Sequence, residues 1–207
     1  ENINTHLEYL GYYDSEIQTS IDHKKRRKVN VNYDITLGKR YPISSLSINV
    51  PEGEFERVFM EDSVNITVKP GDYLSQAALE EESVRGSKYM REHGFYGFNK
   101  NYYVFVADTL DSQDSADLEL RVNNWTRNET ETESRELVPY HIGRVSISYP
   151  STLKFRDKVL TGLNTIKPGA LYDEREINKT YSRLSSLRVF NSVNIATSES
   201  PDSARTV

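Results

Sequence analysis

Tyr41-Pro-Ile-Ser-Ser-Leu-Ser-Ile-Asn-Val-Pro51 returns 99 residues later as Tyr140-His-Ile-Gly-Arg-Val-Ser-Ile-Ser-Tyr-Pro150. A second pair of stretches, Val68-Lys-Pro-Gly71 and Ile166-Lys-Pro-Gly169, is separated by 98 residues. Two anchors that keep nearly the same separation indicate an internal repeat rather than chance similarity. The sequence therefore predicts a tandem array of similar modules, each about 80 to 100 residues long.

The composition narrows the class of protein. The chain has 207 residues, a formal net charge of −5, 14 Tyr, 7 Phe and no Cys. The mild negative charge argues against nucleic acid as a partner. The lack of cysteine excludes a disulfide-stapled scaffold and is compatible with the cytosol or a bacterial periplasm. No apolar run is long enough to predict a transmembrane helix.

The stretch between the two copies gives the order of elements in one module. Alternating apolar residues predict strands at 45–50 and 117–122, and residues 101–107 are apolar on both faces. Helical signals predict a short helix at 54–61 and a longer one at 75–93. The predicted module is β-α-α-β-β.

Three residues define the longer helix. Ser75 is the predicted N-cap, and Gly94 stands where a glycine commonly ends a helix. Gly86 falls at helical spacing between Leu79 and Met90, on the face of the helix that is predicted to be buried. A glycine on an exposed helix face would lower helix stability by about 1 kcal/mol relative to alanine without any packing benefit.

The flanking sequences are incomplete copies of this module. Residues 1–40 supply the C-terminal half of a module, 41–124 a complete one, 125–139 a polar linker, and 140–207 a module that lacks its last strand. We therefore expect the sequence to be a piece of a longer protein. The joint at 37–43 contains Pro42 and few free residues, so we expect it to be stiffer than the joint at 123–136.

The third module has its own expected elements. The sequence predicts a strand at 144–149 and the start of a hairpin at 193–195. Between them, a helix is predicted to begin at the N-cap Asp173 and to bury Tyr181 with Leu184.

Four short motifs together carry a family resemblance. They are Gly11-Tyr-Tyr13 with its equivalent Gly94-Phe-Tyr96, Gly38-Lys-Arg-Tyr-Pro-Ile43, Lys167-Pro-Gly-Ala-Leu-Tyr172, and Leu187-Arg-Val-Phe-Asn-Ser-Val-Asn-Ile195. In this order the motifs resemble tandem POTRA (polypeptide-transport-associated) domains of the BamA/TamA-like outer-membrane protein assembly factors. The resemblance implies an α+β fold in which each module is a three-stranded mixed sheet packed by two helices. It also implies that the first and last strands pair in parallel and that the middle strand lies at an edge.

The resemblance also implies a function. POTRA arrays form the periplasmic arm of such factors, attached to the bacterial outer membrane through a C-terminal barrel that is not in this chain. The implied partners are nascent outer-membrane proteins, periplasmic or lipoprotein accessory subunits, and that barrel. The alternatives are a structural spacer or division-type scaffold without client binding, and a host-surface adhesin.

The edge strand is the predicted binding site. Tyr102, Tyr103, Val104, Phe105 and Val106 are the candidate partner-binding residues, because an edge strand offers unpaired N–H and C=O groups to an incoming extended chain. A proline at Val104 is expected to remove one of these backbone donors. The competing interpretation is that a neighbouring module, a loop or a second subunit already covers the edge.

No catalytic or metal site is predicted. The four histidines lie far apart and fit no metal spacing, and no nucleophile–base grouping or phosphate loop is present. We therefore predict a non-enzymatic protein without a cofactor. The basic run His23-Lys-Lys-Arg-Arg-Lys28 is interpreted as a solvated hairpin turn, with contact to anionic lipid or an acidic partner as the alternative.

Overall fold

The computed structural model describes residues 2–24, 28–109, 114–123, 137–150, 157–200 and 205–207. Its elements, in chain order, are α1 (Ile3–Tyr9), β1 (Glu16–Lys24), β2 (Lys28–Thr36), β3 (Ile43–Asn49), α2 (Glu54–Glu61), α3 (Gln76–Glu92), β4 (Tyr103–Asp108), β5 (Ala116–Val122), α4 (Asp157–Leu163) and α5 (Glu174–Ser186). Short 3-10 turns cover Ser63–Asn65 and Lys100–Tyr102.

The structure divides into two compact units. The first unit contains Glu1–Val50, Asn65–Arg85 and Tyr103–Asn123, and the second contains Pro51–Val64, Gly86–Tyr102 and Asn124–Val207. These units do not follow the four predicted domain ranges, which remain a prediction. Most of the predicted linker, residues 125–136, lies outside the described residues.

In the first unit, β1 and β2 form an antiparallel hairpin. Its register pairs Ile17 with Ile35 and Ile21 with Val31, so one face is apolar and the other polar. This alternation is the pattern that the sequence shows. The basic run stands at the closed end of the hairpin, where Lys24 pairs with Lys28, and residues 25–27 lie outside the described residues.

The first unit also holds a three-stranded mixed sheet in the order β3-β5-β4. β3 pairs with β5 in parallel, and β4 pairs with β5 antiparallel. Each β5 residue at an even-numbered position is buried, including Leu118 at 1% exposure and Leu120 at 0%. The predicted strand order, with the last strand at the centre and the middle strand at an edge, is confirmed.

Helix α3 begins where the sequence predicts. The Ser75 hydroxyl accepts a hydrogen bond from the Ala78 backbone N–H at 3.3 Å, which is the N-cap contact. Ser83, Gly86 and Met90 are buried along the helix, so Gly86 lies on the packed face.

Replacing Gly86 with leucine is expected to lower the free energy of unfolding by roughly 1–3 kcal/mol, because the added side chain overpacks a buried helix face. Gly162 provides the matched control: it is also helical, but a Cβ built there meets nothing within 4 Å. Native-state hydrogen exchange of the α3 and α4 amides measures both changes. Equal effects of Gly86→Leu and Gly162→Leu would show that the space around Gly86 accommodates a leucine side chain without overpacking.

The second unit is organised around aromatic residues. The Phe55 ring in α2 lies 5.1 Å from the Phe95 ring and 5.3 Å from the Phe98 ring, centre to centre. All three side chains are exposed by 2% or less. Phe59, one turn along α2, stacks on Phe55 at 6.0 Å. Helix α2 spans the residues that the sequence predicts, although its helical signals are weak.

The C-terminal part of the second unit differs from prediction in three places. No strand forms at 144–149 or at 193–195, because no neighbouring strand pairs with either stretch among the described residues. Asp173 caps α5 as predicted, accepting a hydrogen bond from the Arg175 N–H at 2.8 Å. Tyr181 is 48% exposed rather than buried, and Thr180 takes its place beside Leu184 on the packed face.

Candidate binding edge of the mixed sheet

One face of β4 lies on the buried side of the sheet and the other on its solvent-exposed side. Phe105 pairs with Leu120 and Ala107 with Leu118, so these side chains share a face with the buried residues of β5. Val104 and Val106 pair with Arg121 and Glu119 and lie on the opposite, solvent-exposed face. The edge strand therefore presents apolar side chains on both faces, as predicted.

On the solvent-exposed face, the other two strands are polar and cross-linked. The Ser45 hydroxyl donates a hydrogen bond to Asp117, and the Asn49 side chain donates to Glu119 at 3.2 Å. Arg121 donates to the second oxygen of Glu119 at 2.6 Å. These donors hold the pKa of Asp117 and of Glu119 below their usual values, with Ser45 the larger cause for Asp117 and Arg121 for Glu119. Because the folded-state pKa values are lowered, the stabilisation exists above the unfolded-state values and is lost as the pH falls through the folded-state ones.

The direction of the backbone groups in β5 follows from one hydrogen bond. The Ala116 N–H donates to the Pro42 carbonyl, on the β3 side of the sheet, at 2.9 Å. Backbone groups alternate in direction along a strand, so the N–H groups of Glu119 and Arg121 point to the opposite side, toward β4. The direction of these N–H groups determines which β4 residues form backbone hydrogen bonds with β5.

Residues that lie opposite each other in an antiparallel pair exchange their hydrogen bonds at every second position. Val104 and Val106 therefore direct their N–H and C=O groups toward β5. Phe105 and Ala107 direct theirs away from the sheet. The expectation that a proline at Val104 removes an outward donor is wrong for this reason, and Ala107 is the suitable position.

The five predicted site residues do not share one environment. Tyr102 belongs to the 3-10 turn and not to the strand, and its side chain is 6% exposed. Tyr103 begins β4 and is 8% exposed. Val104 and Phe105 are half-buried, and Val106 is 38% exposed. Val104, Phe105 and Val106 therefore lie together in the more exposed part of β4.

Two features of the site were not found from the sequence. The polar cross-links between β3 and β5 depend on a register that the alternation alone does not fix. The direction of each backbone N–H depends on the same register. A signal for the cross-links was present, since Asp117, Glu119 and Arg121 alternate with apolar residues and must share the solvent face.

The described part of the chain shows two further results. It contains no cluster of three or more histidine, cysteine or acidic side chains that could hold a metal ion. None of the helices within it has the length and apolar character needed to cross a membrane.

Comparison with known proteins places this geometry among related folds. Residues 140–207 match the family model described as POTRA, surface antigen variable number repeat. The crystal structure of Haemophilus influenzae BamA POTRA3-5 matches with a TM-score of 0.56 and 16% sequence identity, covering 99% of this chain and 73% of that one. The chain has the fold of a tandem POTRA array.

Other POTRA structures are more distant. POTRA1-2 of the periplasmic domain of Omp85 from Anabaena matches at 12% identity over 72% of this chain and 78% of that one, with a TM-score of 0.40. BamA from Haemophilus ducreyi lacking POTRA domains 1-3 matches at 17% identity over 58% of this chain and 21% of that one, with a TM-score of 0.37. A comparison with curated proteins finds no significant match. The predicted resemblance to POTRA domains and the predicted α+β class are confirmed.

Proposed function

We propose that this POTRA array is the periplasmic arm of an outer-membrane β-barrel assembly factor and binds client chains or accessory subunits by strand addition at β4. The observation that carries the proposal is the position of β4 in its sheet. β4 is a terminal strand, and within the described residues no strand pairs with its outer side. The arm would be attached to the outer membrane through a part of the protein outside this sequence.

The chemistry of the edge fits a client in extended conformation. Phe105 and Ala107 offer outward backbone groups, which can pair with any extended chain regardless of its sequence. Val104 and Val106 then flank the added strand on the solvent-exposed face with apolar contacts. Transmembrane β-strands alternate apolar and polar side chains, so one face of such a client can match these valines.

Ala107→Pro is expected to reduce client binding about fivefold. Proline removes an outward N–H donor, and a backbone hydrogen bond contributes about 1 kcal/mol. The change should leave the array folded, because prolines are tolerated on the outer side of an edge strand. The measurement is photo-crosslinking of an unfolded outer-membrane β-barrel protein through a photoreactive residue at Val106.

The matched control for this prediction is Ala107→Val, which keeps the donor and changes only the side chain. Its cross-linking should equal that of the parent chain. Circular dichroism checks that both variants are folded. If the folded proline variant cross-links as well as the valine variant, strand addition at this edge is excluded.

The alternative proposal is a structural spacer or division-type scaffold that binds no client. It predicts that the parent array cross-links the unfolded β-barrel protein no more than a folded globular protein. Cross-linking of the parent above that background, lost on Ala107→Pro, favours the assembly arm.

A further inference from the structure

Two glycines in this chain stand at equivalent helix ends. Gly11 lies two residues after the last residue of α1, and Gly94 lies two residues after the last residue of α3. Both adopt left-handed backbone conformations, with φ of +88° and +103°. Glycine at this position commonly ends a helix, so the helix end alone could explain both residues.

The space around the two glycines gives a second reason for glycine, since a Cβ at either position would approach neighbouring atoms too closely. A Cβ on Gly11 would overlap the carbonyl oxygen of Leu74. A Cβ on Gly94 would lie 2.9 Å from the Leu171 side chain and 3.0 Å from that of Pro139. Leu74 and Leu171 both belong to the following predicted module and lie just before the N-cap of its longer helix, whereas Pro139 is the last residue of the predicted linker.

Other glycines in the chain separate these two requirements. Gly71 and Gly97 have φ of +96° and +78°, so they need the same left-handed conformation. A Cβ on either of them meets nothing within 4 Å. Among the left-handed glycines of the described residues, a Cβ meets a close neighbour at Gly11 and Gly94 alone, so the close approach does not follow from the backbone conformation.

The first joint, around Gly11, is closed by aromatic and cationic side chains. The Arg40 guanidinium lies 4.0 Å from the centre of the Tyr73 ring and 4.9 Å from that of Tyr12. Tyr9 in α1 donates a hydrogen bond to Glu80 in α3 at 3.2 Å. These contacts join the first half-module to the middle one.

The second joint, around Gly94, has the same glycine after the helix but different contacting side chains. The Gly94 carbonyl accepts a hydrogen bond from the Tyr140 N–H at 2.8 Å. The Tyr96 ring packs against Tyr140 at 5.7 Å and Tyr172 at 5.2 Å, centre to centre. Arg91 forms an ion pair with Glu174 at 2.9 Å.

The third helix end departs from this pattern. Arg188 lies two residues after the last residue of α5, with φ of +53°. It takes the left-handed conformation of Gly11 and Gly94 but carries a Cβ and a long charged side chain. A module approaching as closely as at Gly11 or Gly94 would meet that Cβ.

We propose that the glycine after the longer helix is the docking point by which one module holds the next. The different side chains around Gly11 and Gly94 then specify which module docks at each joint. The helix end at Arg188 accepts no module in this contact. On this proposal the second joint is held by docking, which runs against the expectation from linker composition that it is the looser one.

The test measures the second joint directly. The chain contains no cysteine, so Lys88→Cys and Arg183→Cys introduce the only two sites for spin labels. Both positions are exposed and lie in the second unit, on α3 and α5. The distribution of distances between the labels reports whether the middle and third modules hold one arrangement.

Gly94→Ala is expected to broaden this distance distribution. Gly97→Ala is the control, because it carries the same left-handed strain without a neighbour at its Cβ, and its distribution should stay as narrow as that of the parent. Exchange protection of α3 verifies that both variants are folded. Equal widths for the two alanine variants would overturn the proposal that Gly94 fixes the joint.

Gly94→Arg tests the part that concerns Arg188. It places the residue of the third helix end into the second joint, and the narrow distribution should be lost. If Gly94→Arg keeps a narrow distribution, an arginine is compatible with docking and the inference about Arg188 fails. No client is present in these measurements, so their outcome is independent of strand addition at β4.

Discussion

Phe55→Ala is expected to lower the free energy of unfolding by about 4 kcal/mol, because the side chain lies at the centre of a buried aromatic cluster. Phe55 is 1% exposed, and its ring contacts those of Phe59, Phe95 and Phe98. Truncation removes the apolar area that the ring buries and leaves a cavity that the three remaining rings fill only in part. It also removes the ring–ring contacts themselves, each of which contributes about 0.5–1.5 kcal/mol.

Met60→Ala is the matched control, because Met60 lies on the same helix and is 45% exposed. Its effect should stay within about 0.5 kcal/mol. Native-state hydrogen exchange of the α2 amides is the suitable measurement, since an array of modules does not unfold in a single two-state transition. Similar losses of protection for Phe55→Ala and Met60→Ala would contradict the aromatic cluster as the main support of α2.

Arg85→Ala is expected to lower the free energy of unfolding by about 3 kcal/mol, because it leaves a buried carboxylate without its counter-charge. Glu82 is 0% exposed, and Arg85 binds both its oxygens, at 2.7 and 3.0 Å. The Thr67 N–H and hydroxyl each donate to Glu82 at 2.8 Å, but they bring no charge. Arg57→Ala is the control, since Arg57 forms exposed ion pairs with α2 residues that contribute at most about 1 kcal/mol.

The repeat itself supplies a second variant that should rescue the first. Thr180 occupies the position equivalent to Glu82, and its hydroxyl accepts the Thr165 N–H at 2.9 Å, as Glu82 accepts that of Thr67. Glu82→Thr in the Arg85→Ala background removes the uncompensated charge and retains an acceptor for Thr67. We expect this double variant to recover about 2 kcal/mol of the loss.

Hydrogen exchange at the Thr67 amide measures both members of the pair. Its protection should fall in Arg85→Ala and return in the double variant. A double variant that is less protected than Arg85→Ala alone would show that the carboxylate is stabilising even without the arginine, and that the desolvation argument is wrong.

Much of the fold could be predicted because its signals are local. The Ser75 and Asp173 caps form within a few residues, and each accepts the predicted type of backbone hydrogen bond. The alternation of apolar residues along β2 appears in the hairpin as one apolar face, where Val31 pairs with Ile21 and Ile35 with Ile17. Prediction failed where strand formation depends on a neighbouring strand. Residues 144–149 have the alternation of a strand but form none, since no described strand pairs with them.

The candidate site divides in the same way. The sequence predicted a strand that is apolar on both faces, and the resemblance to POTRA domains implied that it lies at the edge of the sheet. The sequence did not assign Val104 to the inward-facing backbone positions, because that assignment depends on a hydrogen bond between Ala116 and Pro42, which are far apart in the chain. It also placed Tyr102 in the strand, where the structure has a 3-10 turn.

By itself the sequence determined the repeat, through its recurring motifs, and the β-α-α-β-β order of elements, through periodicity and capping over short stretches of chain. The resemblance to POTRA domains implied the α+β class. The tertiary structure alone decided which backbone groups face outward on β4, why Glu82 can be buried, and which side chains lie against Gly94. Each of these depends on an atom contributed from a distant part of the chain. Such contacts are set by packing between elements, and periodicity along one element does not contain them.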